Sequence, residues 1–377
     1  MHKIRLGILG SGQLGQMMAY EAFLHGISVS CYSPDYESPM KEIGVPITVG
    51  SFDDTEAILK FISNIDILTF EFENIPRSTL DFLDSLLPSN VNKRETNDKI
   101  KIFPNPNSLR IAQDRFLEKN HFKSLGLKTP EFALLTKESS NSLIPFPWII
   151  KTLRFGYDGK GQHKISTDQE FKDFLKEAFP NGNEEYLIEQ KINFDLEVSV
   201  ILTRFQNGVI ETYGAIENIH KNHILDISIF PARISDALQK KAIEIAKSLS
   251  DSLNYVGTIG VEFFIKDEEI FLNEYAPRPH NSGHFSQDSG NPSQFKMHIA
   301  AVTDLFRPSL ERVSPTVMKN ILGDSFEDSL NRVNRLLSDP RYNLHLYGKK
   351  ESRKGRKMGH LNFSGSIDEI DPEIFKI

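Results

Sequence analysis

The chain has 377 residues, of which 39% are hydrophobic, and it carries a formal net charge of −7 at pH 7. This length and composition predict a globular protein of two or three domains and exclude a largely disordered chain. The acidic balance argues against a broad nucleic-acid or anionic-membrane surface, so we expect small-molecule partners held in a local pocket.

The compartment is predicted from features that the chain lacks. Its single cysteine, Cys31, excludes intrachain disulfides and suits a reducing environment. The start MHKIRLGILGSG does not resemble a signal peptide, and no apolar run approaches the length of a membrane span. We therefore expect a cytoplasmic protein with no membrane partner.

The N-terminal part of the chain alternates predicted strands with predicted helices. The strand RLGIL runs into a glycine turn and a helix, and the strands ISVSC, PITVG and DILTF follow. This alternation predicts βαβ units around a parallel sheet, in a domain that closes near residue 100.

The turn GSGQLG places Gly10, Gly12 and Gly15 between the first strand and the first helix, and Asp35 lies about twenty residues further on. This spacing fits a dinucleotide-binding turn, which leaves an NAD-dependent oxidoreductase open as one interpretation. Glycines that admit a ligand to a helix N-terminus suit any phosphate-bearing metabolite equally well. The polar Gln13 at the tip weakens the NAD interpretation without removing it.

The segment FEFENIP ends the strand DILTF with two carboxylates, Glu71 and Glu73, on one side. Open parallel sheets bind their ligands at the carboxyl ends of their strands. Glu73 is therefore a candidate for recognising a hydroxyl group, although a solvated carboxylate at a strand end explains it equally well.

The middle of the chain carries a lysine followed by a glycine loop. Helical periodicity over residues 108–125 precedes the strand WIIK, which ends at Lys151 and leads to Gly156, Gly159 and Gly161. A lysine fixed on a strand beside a mobile glycine loop is typical of sites that close over phosphates. The loop lacks the G-K-[ST] ending of a Walker A motif, and a flexible hairpin tip would explain the glycines but not the lysine.

Further elements follow in order. We predict a helix near residues 168–178, strands at YLIEQ and LEVSVILTR, a partner strand near 209–216, and a helix at 237–253. The long strand and its partner indicate an antiparallel sheet, and the last helix has an apolar stripe along one face.

The segments GVEFFI and FLNEYA predict a hairpin. A three-residue loop at 267–269 would place Lys266 opposite Ile270. The same register would place Glu262 opposite Glu274, so two carboxylates become cross-strand neighbours.

Two such carboxylates repel each other. At roughly 5 Å and an effective dielectric constant near 20, the repulsion is of order 3 kcal/mol. A divalent cation would reverse its sign, and hard oxygen ligands of this kind suit Mg²⁺ at a phosphoryl-transfer site. The alternative is a slipped register with one solvated carboxylate, but Arg278, His280 and Asn281 follow closely and favour the metal site.

A basic cluster lies near the C-terminus. Six cations fall within nine residues: Lys349, Lys350, Arg353, Lys354, Arg356 and Lys357. A solvated loop or a nucleic-acid patch are alternatives, but the acidic net charge favours a phosphate clamp made by one or two of them.

Several of these motifs together resemble one family. The segments GSGQLGQMM, FEFENI, RIAQDRFLEK, IIKTLRFGYDGKGQ, LEVSVIL, ENIHKNHIL, NEYAPRPHNSGH and GRKMGH resemble, in this order, the ATP-grasp 5-(carboxyamino)imidazole ribonucleotide synthases of purine biosynthesis. The resemblance implies a mixed α/β and α+β fold with a Rossmann-like N-terminal domain, a two-part ATP-grasp domain and a small C-terminal domain. We place these at residues 1–103, 104–312 with a lid subdomain at about 120–186, and 313–377. It also implies a homodimer. One departure from the family is that the chain stops soon after GRKMGH, so we expect the final helix usual in relatives to be shortened or absent.

The resemblance also implies a set of ligand-binding residues. ATP would be bound by Arg115, Lys151, Gly156, Tyr157, Asp158, Gly159, Lys160, Gly161, Gln162, Glu189, Gln190, Lys191, Ile192, Glu197, His220, Asn273 and Glu274, and Mg²⁺ by Glu262 and Glu274. Bicarbonate and its phosphorylated product would be bound by Arg278, His280, Asn281 and Ser282, and the aminoimidazole ribonucleotide by Gln13, Leu14, Glu73, Asp158, Lys349 and Arg356. Arg278, Asp158, Lys151, His280 and Asn281 would be the catalytic residues. In a regular strand, however, Asn273 would point away from Glu274.

The implied activity is ATP-dependent carboxylation of 5-aminoimidazole ribonucleotide with bicarbonate through carboxyphosphate. Another ATP-grasp ligase that uses an acyl phosphate, such as formate-dependent glycinamide ribonucleotide transformylase, is the alternative within enzymes. A nucleotide-binding regulatory protein without turnover is the non-enzymatic alternative, and the intact Lys151, Glu262, Glu274 and Arg278 argue against it.

Overall fold

The computed structural model describes residues 3–87, 100–137, 144–154, 156, 161–180, 182, 184–311 and 314–377. Within these residues the chain forms a five-stranded, a four-stranded and an eight-stranded sheet. The first is parallel and the other two are antiparallel, so the predicted combination of α/β and α+β architecture is confirmed. No helix in the described ranges has the length and apolar character needed to cross a membrane.

The N-terminal elements form the parallel sheet. They are β1 (Arg5–Leu9), α1 (Gln13–Leu24), β2 (Ser28–Ser33), α2 (Pro39–Glu42), β3 (Ile47–Val49), α3 (Thr55–Ile62), β4 (Ile67–Phe70), α4 (Arg77–Ser85) and β5 (Lys101–Ile102). The strand order β3-β2-β1-β4-β5 reverses direction between β1 and β4. Leu9 and Phe70 pair across these two strands, so the glycine turn and the FEFENIP segment leave the sheet side by side. This reversal point is where open α/β sheets bind ligands.

Two helices connect this sheet to the next unit, α5 (Pro106–Ala112) and α6 (Arg115–Ser124). The helical periodicity predicted over residues 108–125 therefore corresponds to two helices. The Asp114 side chain accepts a hydrogen bond from the Leu117 amide and caps a new helix, which breaks the run after Gln113. The Arg115 amide bonds instead to the Leu153 carbonyl, 3.0 Å away on another element.

The four-stranded sheet forms a small subdomain with its own core. Its elements are β6 (Phe132–Leu135), β7 (Trp148–Thr152), β8 (Gln162–Ile165), α7 (Asp168–Ala178) and β9 (Tyr186–Gln190), in the strand order β6-β9-β7-β8. Trp148, Ile150 and Phe171 are buried between the sheet and α7. Trp148 and Ile150 point into that core from alternate positions of β7, so Lys151 projects from the opposite face.

The eight-stranded sheet is built from the remaining strands. The elements are β10 (Leu196–Arg204), β11 (Ile210–Lys221), β12 (Ile224–Phe230), α8 (Asp236–Ser252), β13 (Gly257–Lys266), β14 (Glu269–Ala276), α9 (Gln294–Thr303), β15 (Thr316–Leu322), α10 (Phe326–Leu336), β16 (Tyr342–Leu346) and β17 (Lys357–Ser364). Short 3₁₀ turns cover Asn281–Gln287, Gly323–Ser325, Ile367–Glu369 and Pro372–Lys376. The order β14-β13-β10-β11-β12-β15-β17-β16 shows that the C-terminal strands extend the same sheet through the β12–β15 pairing.

Two helices pack on this sheet in different ways. The predicted helix at 237–253 is confirmed as α8, whose stripe of Leu238, Ala242 and Leu249 is buried on the sheet. Helix α9 instead inserts into the N-terminal core, where Ile299 packs in one cluster with Ile8 of β1. Helix α9 thereby fixes the large sheet against the parallel sheet.

Candidate active site

The hairpin of β13 and β14 carries the two predicted metal ligands, but its turn differs from the prediction. The turn has two central residues, Asp267 and Glu268, with φ values of 50° and 62°, and Lys266 pairs with Glu269. The three-residue loop is therefore wrong. Both central residues adopt the left-handed conformation that a tight hairpin turn requires, which shortens the loop.

A β-bulge restores the predicted carboxylate pair. A two-residue turn with a regular ladder would place Glu262 opposite Asn273, but the register shifts between Glu262 and Phe263. The extra residue brings Glu262 directly opposite Glu274, and Asn273 and Glu274 both line the same cleft. The bulge therefore removes the expectation that Asn273 must point away from Glu274.

The two carboxylates differ in their electrostatic surroundings. Burial disfavours the charged form of Glu262, but His280, whose Nε2 lies 2.9 Å from Oε1 of Glu262, holds the pKa of Glu262 at about 2. Burial and the charge of Glu262 raise the pKa of Glu274. Arg115, Lys151 and Lys119 lower the pKa of Glu274, but they do not outweigh burial and Glu262.

The oxygens at this position fit a hard cation. Besides the two carboxylates, Oδ1 of Asn273 is buried and has no hydrogen-bond partner. Two carboxylates and an amide oxygen suit Mg²⁺, which keeps water and phosphate oxygens as its other ligands. Across the part of the chain that the structure describes, no group of three acidic, histidine or cysteine side chains is arranged to hold a metal.

The pair lies in a cleft of about 1240 Å³ that the three sheets enclose. The predicted site residues that line it are Gln13, Leu14, Glu73, Arg115, Lys151, Gly156, Gln162, Glu189, Gln190, Lys191, Ile192, Glu197, His220, Glu262, Asn273, Glu274, Arg278, His280 and Asn281. Four further predicted site residues lie outside the described residues: Tyr157, Asp158, Gly159 and Lys160. Gly161 does not line the cleft; it has a φ of 71° and lies against Thr152.

A buried ion network positions Lys151. The Nζ of Lys151 pairs with one oxygen of Glu189, and Nζ of Lys119 lies 2.8 Å from the other. Burial opposes the charge of Glu189, but the two lysines hold its pKa at about 2. Lys119 also donates to the Asn273 carbonyl at the bulge. Sequence reasoning missed Lys119 because a lysine within a helical segment gives no local signal of burial.

Arg115 connects α6 to the glycine loop. Its guanidinium donates to the Thr152 carbonyl at 2.9 Å and to the Gly156 carbonyl at 2.8 Å. Arg115 thereby holds the beginning of the loop at the wall of the cleft. Lys151, the cation predicted to bind phosphate, lines the same cleft.

Another part of the cleft wall combines a histidine–glutamate pair with two aromatic rings. Nδ1 of His220 lies 2.5 Å from Oε2 of Glu197, and this contact raises the pKa of His220 despite its burial. The rings of Phe194 and Phe264, which sequence reasoning missed, stack 4.8 Å apart and line the cleft. A half-exposed aromatic face beside a carboxylate suits a planar base and a sugar hydroxyl.

Residues of the PRPHNSGH segment line another part of the cleft. Nε of Arg278 lies 3.0 Å from Oε2 of Glu73, which brings a predicted catalytic cation and a predicted substrate ligand together. Asn281 exchanges amide hydrogen bonds with Asn320 at 2.8 and 3.1 Å. Both contacts fix these side chains at the cleft surface before any ligand binds.

Ser282 differs from its neighbours in the motif. It is fully buried, does not line the cleft, and its hydroxyl lies 2.7 Å from the Ser199 hydroxyl and 2.9 Å from Nδ1 of His280. The structure therefore places Ser282 behind His280, where its hydroxyl orients the imidazole.

Lys349 and Arg356 lie on the segment between β16 and β17, and neither lines the cleft itself. Lys349 donates to the Lys357 carbonyl at 2.7 Å. Burial, assisted by Arg356, lowers the pKa of Lys349 to about 8. Lys357, a member of the same basic cluster, does line the cleft.

Glu71 is a further residue whose position the sequence did not reveal. Its carboxylate fills the glycine turn after β1, where a Cβ on Gly10 or Gly12 would come within 2.3 Å of it. A dinucleotide pyrophosphate would meet this carboxylate at the turn, so the structure disfavours the NAD interpretation.

An ATP-grasp ligase is the class that this architecture defines, with a cleft between two antiparallel sheets next to a Rossmann-like sheet. Family models agree: the ribonucleotide synthetase preATP-grasp domain matches residues 1–113, the ATP-grasp domain matches residues 120–295, and the phosphoribosylaminoimidazole carboxylase C-terminal domain matches residues 316–370.

Comparison with known proteins identifies the family within this class of ligases. The N5-carboxyaminoimidazole ribonucleotide synthase of Bacillus subtilis is 37% identical over 95% of this chain and 90% of its own. The Staphylococcus aureus N5-carboxyaminoimidazole synthetase complexed with ADP has a TM-score of 0.86 at 33% identity, covering 100% of this chain and 97% of its own. The Aspergillus clavatus enzyme in complex with ADP and 5-aminoimidazole ribonucleotide has a TM-score of 0.86 at 28% identity, covering 100% of this chain and 99% of its own. The chain belongs to the N5-carboxyaminoimidazole ribonucleotide synthase family.

Proposed function

We propose that the protein carboxylates 5-aminoimidazole ribonucleotide with bicarbonate, using ATP, and forms 5-(carboxyamino)imidazole ribonucleotide, ADP and phosphate in purine biosynthesis. The observation that carries this function is the joining of two groups of residues in one cleft. Lys151, Glu262 and Glu274 form the nucleotide end, and Glu73 and Arg278 form the other end. Relatives solved with ADP, and with ADP together with 5-aminoimidazole ribonucleotide, support both ligands.

The nucleotide end binds ATP between the small subdomain and the large sheet. The adenine lies near the stacked rings of Phe194 and Phe264, and Glu197 with His220 contacts the ribose. Lys151 reaches the phosphates from β7. Its present partner Glu189 holds it in place, so little side-chain entropy is lost when ATP binds.

Mg²⁺ is the metal that these residues fit. Glu262, Glu274 and Oδ1 of Asn273 would hold it at the bulge. When bound, Mg²⁺ neutralises charge on the phosphates of ATP.

Bicarbonate is activated at the other side of the phosphates. It is a resonance-stabilised anion and a poor electrophile, so transfer of the γ-phosphoryl group to one of its oxygens first forms carboxyphosphate and ADP. Arg278 stabilises the negative charge, while His280 and Asn281 orient the anion. Each of these side chains is already fixed by a protein contact, to Glu73, Glu262 and Asn320 respectively.

The amine of 5-aminoimidazole ribonucleotide then attacks the carboxyl carbon, or CO₂ released from carboxyphosphate inside the cleft. The bond between the carboxyl carbon and the phosphate oxygen breaks, and phosphate leaves. The amine loses a proton to give the carbamate. Gln13, Leu14 and Glu73 hold the nucleotide, with Lys349 and Arg356 at its phosphate. Exclusion of water by the small subdomain protects carboxyphosphate from hydrolysis.

Asp158 has a proposed role in the same step. We assign it to orienting or deprotonating the amine. The Asp158→Asn variant tests this role, because carboxylation at the parent rate with unchanged ATP turnover would rule it out.

Two properties of the whole protein belong to this proposal. The protein acts as a homodimer, which three exposed apolar side chains on one face of α1 support: Tyr20, Phe23 and Leu24. It acts in the cytoplasm, which suits its single, buried and unpaired Cys31.

ADP release by the purified protein with ATP, Mg²⁺ and bicarbonate tests the function. We expect strong stimulation by 5-aminoimidazole ribonucleotide and none by the control pair of formate and glycinamide ribonucleotide. ADP release that is indifferent to 5-aminoimidazole ribonucleotide would overturn the substrate assignment.

A further inference from the structure

A carboxylate of the protein itself occupies the anion-binding position of the N-terminal domain. Glu71 directly follows β4, and its amide donates to the Leu9 carbonyl at the end of β1, 2.9 Å away. This bond holds Glu71 at the reversal point of the sheet. From there the carboxylate reaches the GSGQLG turn, and Glu71 also lines the cleft.

The fit between Glu71 and the turn is close. A Cβ on Gly10 would lie 2.3 Å from Oε2 of Glu71, and a Cβ on Gly12 would lie 2.3 Å from Oε1. Gly10 also has a φ of 108°, which disfavours any other residue. The glycines at these two positions therefore admit an internal carboxylate rather than an external phosphate.

Several neighbouring groups partly offset the cost of burying the Glu71 carboxylate. Burial raises its pKa, and backbone N–H groups of Gly12 and Leu14 counteract this by hydrogen bonding to the carboxylate. The positive charges of Arg278 and Lys349 also lower the pKa of Glu71. The carboxylate thus bonds to the start of α1 and interacts electrostatically with two cations that the proposed function assigns to ligand binding.

We propose that Glu71 is a positioning residue for the ribonucleotide substrate: as a built-in anion it holds the glycine turn in the conformation that presents Gln13 and Leu14 to the cleft. Gln13 and Leu14 line the cleft next to Glu73, two residues beyond Glu71. The substrate meets a turn that is already ordered and whose anion-binding position is filled. This inference rests on the proposed function for the identity of the substrate, but the anion site itself is a property of the fold.

Replacement of Glu71 by alanine creates a test by chemical rescue. In Glu71→Ala the N–H groups of Gly12 and Leu14 lose their acceptor, so we expect the KM for 5-aminoimidazole ribonucleotide to rise by about tenfold or more. The KM for ATP should stay near the parent value, because ATP binds at the other end of the cleft. Added acetate should enter the vacated position and lower the KM for the ribonucleotide again, whereas sodium chloride of equal ionic strength should not.

A second measurement does not depend on activity. Acetate should raise the Tm of Glu71→Ala and leave the Tm of the parent protein unchanged. The control is Glu56→Ala, which removes an exposed carboxylate on α3 of the same domain and should respond to acetate as the parent does. The thermal shift remains informative even if ADP release shows that the proposed substrate is wrong.

Glu71→Gln covers the case in which the alanine variant does not fold. It keeps the volume of the side chain but turns an amide NH₂ toward a backbone N–H group, so the KM for the ribonucleotide should rise without any rescue by acetate. A parent-like KM in either folded variant overturns the proposal. Equal effects of acetate on the parent and on Glu71→Ala overturn it as well.

Discussion

Lys349 is a residue whose charge changes within the ordinary working range of pH. Burial and Arg356 lower its pKa to about 8, so the free protein loses this cation as the pH rises through that value. We assign Lys349 to the substrate phosphate. We therefore expect kcat/KM for 5-aminoimidazole ribonucleotide to fall above about pH 8, toward a value about tenfold lower.

Two variants separate this charge from other causes. Lys349→Arg keeps its charge at every accessible pH and should retain kcat/KM at pH values where the parent protein declines. Lys349→Gln should show the low value throughout. Identical pH profiles for the parent and the arginine variant would contradict the assignment.

Glu274 illustrates how a site residue can lower stability. Its folded pKa is raised by burial and by Glu262, so ionisation of Glu274 costs folding free energy in the absence of metal. The cost is absent below the unfolded pKa and is incurred as the pH rises toward the folded pKa. At neutral pH, Glu274→Gln should therefore raise the free energy of unfolding by about 1 kcal/mol in metal-free buffer, measured by urea titration.

The same variant should lose activity. We propose that Glu274 holds Mg²⁺ at the phosphates of ATP, so removal of its charge should lower ADP release by about 10²- to 10³-fold and weaken the response to Mg²⁺. Glu269→Gln is the matched control, because Glu269 lies on the same strand, is exposed and pairs with Lys128 outside the cleft. Parent-like turnover in Glu274→Gln would exclude it as a metal ligand.

At the scale of elements, α9 connects two units that are far apart in the chain. Ile299 is fully buried in the cluster that contains Ile8 of β1. Ile299→Ala should lower the free energy of unfolding by roughly 2–4 kcal/mol through lost burial and a residual cavity. Leu305→Ala, just beyond the helix and 52% exposed, should cost less than about 0.5 kcal/mol. Equal losses in the two variants would contradict the connecting role of α9.

The β13–β14 hairpin shows how two local details combine. Asp267 and Glu268 make a shorter turn than the sequence pattern predicted, and by itself this would move Glu274 out of register with Glu262. The bulge at Asn273 compensates by one residue. Side chains alternate between faces along a strand, so a compensating residue was needed to return Glu274 to the cleft.

For the whole molecule, the proposed homodimer requires a surface that a single chain leaves exposed. Tyr20, Phe23 and Leu24 are 50%, 44% and 78% exposed and share one face of α1. If this face is the dimer contact, Leu24→Glu should halve the molar mass measured by light scattering. Val49→Glu, 55% exposed on β3, is the control and should leave the mass unchanged. A parent-like mass for Leu24→Glu would place the contact elsewhere.

Much of the architecture could be predicted because its signals are local. The βαβ alternation and the apolar stripe of α8 follow from periodicity within one or two elements. The facing pair of Glu262 and Glu274 was predicted from a three-residue loop, and in the structure it depends instead on a shorter turn and a compensating bulge. The helix break at Asp114 was missed because Asp114 interrupts a helical pattern that continues on both sides of it. A cap is recognised from its hydrogen bond, and the sequence does not show that bond.

Ordered motifs such as GYDGKGQ and NEYAPRPHNSGH were enough to predict the family and the proposed reaction, because their residues follow one another directly in the chain. Three contacts became visible in the folded chain alone: Lys119 and Lys151 share Glu189, Ser282 lies behind His280, and Glu71 fills the glycine turn. These contacts join residues that are distant in the chain. Burial and charge balance arise from the packing of whole sheets against one another, and no local pattern records them.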